Sequence, residues 1–161
     1  MLFRSNILFF EQACNKDDWD AAVAVARAAS VPVMLDESIY DLADVERAAA
    51  LGAARYVKLK LMKCGGLDKL TTALDRVKAL GLEAVLGNGV ATDIGCWMEA
   101  AAGWGRIETA GEMNGFLKPT RYLLQNPLAV EDGSLVIPAG WWPRIDEDAV
   151  AAYQVDAVGS V

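Results

Sequence analysis

The sequence contains no histidine among its 161 residues. That absence excludes Ser-His and Cys-His nucleophilic systems, histidine-ligated zinc and imidazole general bases in one step. Acid–base chemistry in this chain must therefore use Lys, Glu, Asp, Tyr or Cys side chains.

Cysteines and long apolar runs are also scarce. The three cysteines, Cys14, Cys64 and Cys96, lie far apart without a CxxC pair, which favours neither a disulfide framework nor a zinc knuckle. Glu11 interrupts the apolar stretch of residues 7–10, leaving it too short for a signal-peptide core or a membrane span. We therefore expect a soluble, cytoplasmic protein with no membrane partner.

Positive charge is the minority: 15 Lys and Arg stand against 22 Asp and Glu, for a net charge of -7. A protein that binds the phosphate backbone of nucleic acids needs a dense basic patch, and the lysines and arginines here do not cluster that way. The expected partner is a small molecule or a protein. Apolar residues make up 54% of the chain, enough for one ordinary globular core.

Apolar stretches alternate with Ala-rich amphipathic stretches from residue 7 to residue 102. The apolar stretches predict strands over residues 7–10, 31–35, 56–61 and 84–86. The amphipathic stretches predict helices over residues 17–29, 41–51, 66–80 and 92–102. Strand alternating with helix at this spacing predicts parallel βα units.

A polar residue stands at the end of each predicted strand. These residues are Glu11, Asp36, Lys60 and Asn88, and they recur at nearly constant intervals. In parallel units such positions meet at one rim of the sheet. Hydration of loops explains any single polar strand end, but four at a common interval favour a functional site.

These residue types together support a narrow chemistry. Two carboxylates suit Mg²⁺, which prefers oxygen ligands. A lysine beside such an ion, partly removed from water, can act as a base. The combination predicts proton abstraction next to a metal-bound carboxylate, with the ion stabilising the resulting ene-diolate.

Three motifs carry a family resemblance: Glu11-Gln12, the segment VPVMLDES at residues 31–38, and KLMKCGG at residues 60–66. In this order and at these separations they resemble the enolase superfamily, in its mandelate racemase/muconate lactonizing enzyme family. The muconate-lactonizing-like subgroup includes dipeptide epimerases, N-acylamino acid racemases and o-succinylbenzoate synthases.

The resemblance implies a fold and a set of roles. The fold is the C-terminal portion of a TIM-type (β/α) barrel, an incomplete α/β structure. Glu11 and Asp36 look like Mg²⁺ ligands, and Lys60 looks like an acid/base catalyst acting on a small carboxylate substrate. Glu37 should point away from Asp36, as neighbours on a strand do. We expect it to contact the residues that form the site rather than the metal or the substrate.

Two further lysines lie near Lys60. Lys58 has the same strand parity as Lys60 and lies one layer deeper. A paired lysine in the barrel interior is the favoured interpretation, and a second titrating group is the alternative. We expect Lys63 to lie in the following turn, where water can solvate it.

Residues 87–94 resemble the turn of the family's seventh unit. Thr92 or Asp93 is the expected helix cap, and backbone N–H groups of this turn can meet an anionic substrate. Asn88 and Asp93 are the candidate residues here for supporting the site or binding substrate. Glu99 resembles a polar position of the same unit, although a solvated helix residue explains it equally well.

Residues 107–116 would form the eighth strand and its loop. Dipeptide epimerases carry a pair of aspartates in this loop that hold the substrate's ammonium group. The nearest counterparts here are Glu112 and Asn114. That departure puts dipeptide specificity in doubt.

The expected organisation is a partial barrel over residues 1–118, equivalent to the fourth through eighth units, and a C-terminal return segment over 119–161. A closed barrel needs roughly 200–250 residues. The family's first metal-binding Asp, its KxK motif on the second strand and its capping domain have no counterpart in this sequence.

An incomplete barrel leaves strand edges without neighbours, which predicts self-association or a partner chain that completes the barrel. Activity of the isolated chain should be weak or absent. Two alternatives remain open. The first is a non-catalytic remnant of a barrel. The second is a small α/β binding domain, in which Glu11 and Asp36 would lie far apart.

Overall fold

A four-stranded parallel sheet forms the centre of the structure, a computed structural model that describes residues 6–87 and 91–155. The strands are β1 (Phe10–Glu11), β2 (Val33–Leu35), β3 (Tyr56–Leu59) and β4 (Glu83–Leu86), paired in chain order. The prediction of parallel strands is confirmed. The sequence predicts the first strand over residues 7–10, but it comprises only Phe10 and Glu11, the two residues that pair with β2.

Five helices follow or connect these strands: α1 (Trp19–Ala28), α2 (Leu42–Leu51), α3 (Leu61–Cys64), α4 (Leu67–Ala79) and α5 (Asp93–Gly103). Their ends follow from local side-chain chemistry. The Asp41 carboxylate accepts from the backbone N–H groups of Ala43 and Asp44 at the start of α2, and Gly52, with φ 62°, ends it. Thr92, rather than Asp93, caps α5.

The third strand ends at Leu59, so the prediction of a strand through residue 61 is wrong. Lys60 caps the one-turn helix α3, and Gly65 closes that helix in the left-handed region, with φ 78°. The double glycine therefore turns the chain sharply between β3 and α4. As a result, Lys60 stands at the carboxyl end of its strand and Lys63 turns back toward it.

The two faces of the sheet bury different residues. The helix-facing side belongs to the main core, with side chains from three strands: Val33, Leu35, Val57, Leu59, Ala84 and Leu86. A smaller cluster consists of Met34, Tyr56 and Val85, with Phe9 packed against it. Because side chains alternate along a strand, Asp36 shares a face with Met34, and Lys58 shares a face with Tyr56.

Residues 107–116, expected to form the eighth strand and its loop, are mostly loop with one parallel bridge position at Glu112. Within the described residues, a parallel bridge joins Glu112 to Gly87, and the Glu112 N–H donates to Leu86 O at 2.8 Å. A short 3-10 helix, Gly115–Leu117, follows. A Cβ at Gly115 would lie 2.3 Å from Ala91 O, so the backbone of this helix packs too closely against Ala91 for a side chain at position 115.

The C-terminal segment packs back onto α5. It contains an antiparallel hairpin, β5 (Ala129–Glu131) with β6 (Ser134–Val136), and a last helix, α6 (Glu147–Tyr153). The buried Asp93 carboxylate accepts from the backbone N–H groups of Leu123 and Leu124 at 2.8–3.1 Å. The Trp97 ring lies 6.0 Å from that of Trp141.

No helix within residues 6–87 and 91–155 has the length and apolar character needed to cross a membrane.

We predict that Asp93→Ala releases the C-terminal segment from α5. The substitution removes the acceptor for two backbone N–H groups, and loss of such bonds costs about 1–3 kcal/mol of unfolding free energy. Amide hydrogen exchange at Leu123 and Leu124 should accelerate, while exchange in β3 stays slow. Asp20→Ala, an exposed aspartate in the first turn of α1, is the matched control. Unchanged exchange at Leu123 and Leu124 would contradict the anchoring role of Asp93.

Candidate active site

Three carboxylates surround the ammonium group of Lys58. Lys58 Nζ lies 2.5 Å from Glu11 Oε1, 2.9 Å from Glu112 Oε2 and 3.5 Å from Asp36 Oδ2. Its side chain is only 4% exposed. Lys58 is thus a paired interior lysine, and a buried ammonium requires such partners because removal from water is costly.

The position of Lys58 follows from the strands around it. Lys58 lies on β3, which pairs with β2 on one side and β4 on the other. The stem of its side chain runs beside Gly87, where an added Cβ would lie 3.2 Å from Lys58 Cδ. The absence of a side chain at Gly87 therefore leaves the room that Lys58 occupies.

The Asp36 carboxylate, at the end of β2, accepts hydrogen bonds from two further lysines. Lys60 Nζ donates to Asp36 Oδ2 at 2.7 Å, and Lys63 Nζ donates to Asp36 Oδ1 at 3.0 Å. Lys63 also donates to the backbone oxygens of Asp36 and Ile39. The expectation that Lys63 is solvated is therefore wrong. Its side chain is 12% exposed because the α3 turn directs it back to β2.

The ionisation of the cluster follows from these contacts. Burial alone would lower the pKa of Lys58, but the hydrogen bonds to Glu11 and Glu112 outweigh it and raise that pKa. Burial alone would raise the pKa of Asp36, but hydrogen bonds from Lys60 and Lys63 hold that pKa below its usual value. Lys58 and Asp36 are therefore both charged at neutral pH.

Gln12 positions Asp36, a role that the sequence analysis missed. The Gln12 Oε1 atom accepts from the N–H groups of Asp36 at 3.0 Å and Ser38 at 3.3 Å. Its Nε2 atom donates to Ser38 Oγ and Cys14 O. Gln12 itself has a positive φ of 39°. The adjacency of Gln12 to Glu11 was visible in sequence, but its contact with the turn after β2 was not.

The remaining predicted site residues divide by location. Glu112 joins the cluster through Lys58, and Asn114 lies with Glu112 along a groove of about 890 Å³. Glu37 is exposed. Asp93 is engaged by the backbone of the C-terminal segment. Asn88 lies outside the described residues.

Glu99 belongs to the structural surroundings of Lys60. It is 1% exposed, and its Oε1 atom accepts from the Leu61 N–H at 2.9 Å. The solvated alternative for Glu99 is therefore wrong. The contact ties α5 to the turn that carries Lys60, a link that sequence periodicity on α5 could not show.

The distances from Lys58 to Glu11 and Asp36 test the alternative of a small α/β binding domain. Glu11 and Asp36 both contact the single ammonium group of Lys58, so their carboxylates lie at the same edge of the sheet. A small binding domain in which these two side chains lie far apart is thereby excluded.

Carboxylate oxygens at adjacent strand ends have the donor chemistry that Mg²⁺ prefers, and Glu11 and Asp36 are the residues that would hold it. The cation that these two residues share in the structure is the Lys58 ammonium. Across residues 6–87 and 91–155, no group of three or more Cys, Asp and Glu side chains is arranged to hold a metal ion. Glu11 and Asp36 thus have the oxygen ligands that suit a hard cation. They supply only two of the ligands that such an ion requires.

We predict that Gln12→Ala destabilises the turn that carries Asp36. Two backbone N–H groups, one of them on the buried Asp36, lose their acceptor, so the free energy of unfolding should fall by about 1–3 kcal/mol. Chemical denaturation measures this change. Gln154→Ala, at an exposed position after α6, controls for loss of a glutamine side chain. Equal stability of the two variants would show that Gln12 does not hold the turn.

Comparison with known proteins places this geometry in a family. The Enolase C-terminal domain-like family matches residues 1–141. Muconate cycloisomerase 1 of Rhodococcus opacus is 30% identical over 147 residues, which are 86% of this chain and 38% of that protein. An L-Ala-D/L-amino acid epimerase of Maribacter sp. is 29% identical over 81% of this chain and 37% of that protein.

The muconate lactonizing enzyme of Pseudomonas putida has a similar structure, with a TM-score of 0.80 and 26% identity. The match covers 91% of this chain and 42% of that enzyme. The chain therefore spans about two fifths of the length of these relatives, and its parallel βα units are an incomplete TIM-type barrel. It belongs to the Enolase C-terminal domain-like family, alongside muconate cycloisomerases and amino acid epimerases.

Proposed function

We propose that the chain forms part of an isomerase that abstracts the proton next to the carboxylate of a small substrate, as a racemase, epimerase or cycloisomerase. Lys60 is the proposed acid/base catalyst. The observation that supports the proposal is the location of Lys60. Its Nζ atom lies 2.7 Å from Asp36 Oδ2, at the carboxyl-terminal end of the strands where Glu11 also lies. Membership in the family supports the reaction type.

In this proposal each residue has a separate task. Lys60 releases Asp36 and gives its ammonium proton to water; as a neutral amine it then takes up the substrate's α-proton, and as an ammonium it returns a proton to the substrate carbon. Glu11 and Asp36 bind Mg²⁺, which when bound supplies positive charge to the ene-diolate. Gln12 and Lys63 hold the turn and the carboxylate of Asp36 in place.

A partner chain, or a second copy of this chain, is proposed to complete the site. Within the described residues, β1 is an edge of the sheet and pairs only with β2. Ile7, Leu8 and Phe10 are each more than half exposed beside that edge. Apolar side chains along an unpaired edge favour association with further strands.

The proposed setting is the cytoplasm. Cys14 and Cys64 form no disulfide, as is typical of proteins in a reducing compartment.

The test combines the chain with the first barrel units of a muconate cycloisomerase by co-expression. Two probes follow from the relatives: cis,cis-muconate, monitored by absorbance, and the dipeptide L-Ala-L-Glu, monitored by NMR for deuterium uptake in D₂O. We predict weak or no turnover by the chain alone and measurable turnover of one probe by the combination. Lys60→Met should lower that turnover by roughly 10²-fold or more, because it removes the acid/base group.

Lys69→Met is the control, since Lys69 is an exposed lysine on α4. Turnover that survives Lys60→Met would remove Lys60 from the proposed role. A correctly folded combination that turns over neither probe would favour a non-catalytic remnant.

A further inference from the structure

The ammonium group of Lys58 lies at the point that Glu11 and Asp36 share. We propose that Lys58 is an intramolecular competitor for the divalent cation, so that Mg²⁺ binds to this chain only when the Lys58 ammonium moves away from Glu11 and Asp36. The inference rests on the proposed role of Glu11 and Asp36 as metal ligands. It adds a residue that sets the affinity and the occupancy of that site.

Charge balance is the first support. The cluster contains three carboxylates, Glu11, Asp36 and Glu112, and three ammonium groups, Lys58, Lys60 and Lys63. An approaching divalent cation therefore meets a neutral cluster with a positive charge at its centre. Two positive charges a few ångströms apart repel each other, and the repulsion is screened less at a buried group such as Lys58 than in water.

Burial is the second support. Lys58 is 4% exposed and Asp36 is equally buried, whereas Glu11 and Glu112 are 39% and 48% exposed. Lys58 lies on the interior strand β3, and the absence of a side chain at Gly87 leaves space for its stem. The competing charge is thus fixed by the fold rather than supplied by a mobile surface side chain.

Glu112 can remain paired with the Lys58 ammonium after that group leaves Glu11 and Asp36. It contacts Lys58 at 2.9 Å, it is not one of the proposed ligands, and it arrives from the loop after α5 rather than from β1 or β2. Lys58 can keep this partner while it releases Glu11 and Asp36. Lys58 therefore lowers metal affinity, and Glu112 partly restores it by retaining the displaced charge.

The experiment measures Mg²⁺ affinity by calorimetry, with Mn²⁺ and electron paramagnetic resonance as a second probe, on the full chain. Lys58→Met removes the charge and keeps a long side chain, and it should tighten binding at least about tenfold. Lys58→Arg keeps the charge and should show no gain. Lys69→Met removes the same charge from an exposed position on α4 and should also show no gain.

Two further variants test the arrangement. Glu112→Gln should weaken binding severalfold relative to the parent chain, because displaced Lys58 loses its partner. Glu11→Gln in the Lys58→Met background should abolish the gained affinity. Circular dichroism confirms folding, and Lys58→Gln is the substitute if Lys58→Met does not fold.

The outcomes separate this inference from the proposed function. Equal Mg²⁺ affinity in the parent chain and in the neutral Lys58 variants overturns the competitor role and leaves Glu11 and Asp36 as ligands. Absence of binding to any folded variant, with either metal, overturns the ligand roles and the competitor role together. A gain that persists in the Glu11→Gln background overturns the assignment of the competition to this site.

Discussion

The need to pair one buried ammonium group organises this structure. Lys58 lies on the central strand β3, and a charge so little exposed to water is tolerated only with close partners of opposite sign. Those partners come from three separate parts of the chain: Glu11 on β1, Asp36 after β2 and Glu112 in the loop beyond α5. The same interaction therefore links the first strand of the sheet to the segment that continues it beside β4.

A second set of contacts fixes the turn that follows β2. The side chain of Gln12 receives two N–H groups from that turn, and Lys63 donates to two of its backbone oxygens. Polar groups buried in a turn are stable when their hydrogen bonds are made, and Gln12 and Lys63 make them from β1 and α3. Asp36 is consequently held in one orientation before any ligand arrives. A preorganised carboxylate of this kind suits a catalytic or a binding site.

The incomplete barrel brings several candidate site residues together, and lysines pair with the carboxylates among them. The βα units present bring Glu11, Asp36 and Lys60 together at the carboxyl-terminal ends of the strands. In the structure, ammonium groups of lysines neutralise the carboxylates of Glu11 and Asp36. The proposed metal binding and the proposed proton transfer would both require the release of Asp36 and Glu11 by their ammonium partners.

The sequence by itself determined the parallel βα order, the helix caps such as Asp41 and the family, because periodicity, capping chemistry and short motifs are local properties. Only the tertiary structure decided the partners of Lys58, Lys63, Gln12 and Glu99, since each contacts a segment at least 24 residues away in the chain. It also decided that residues 107–116 contribute one bridge position, Glu112, since that position depends on the contact with Gly87. Local chemistry selects the elements, but the pairing of buried charges depends on which elements meet in space.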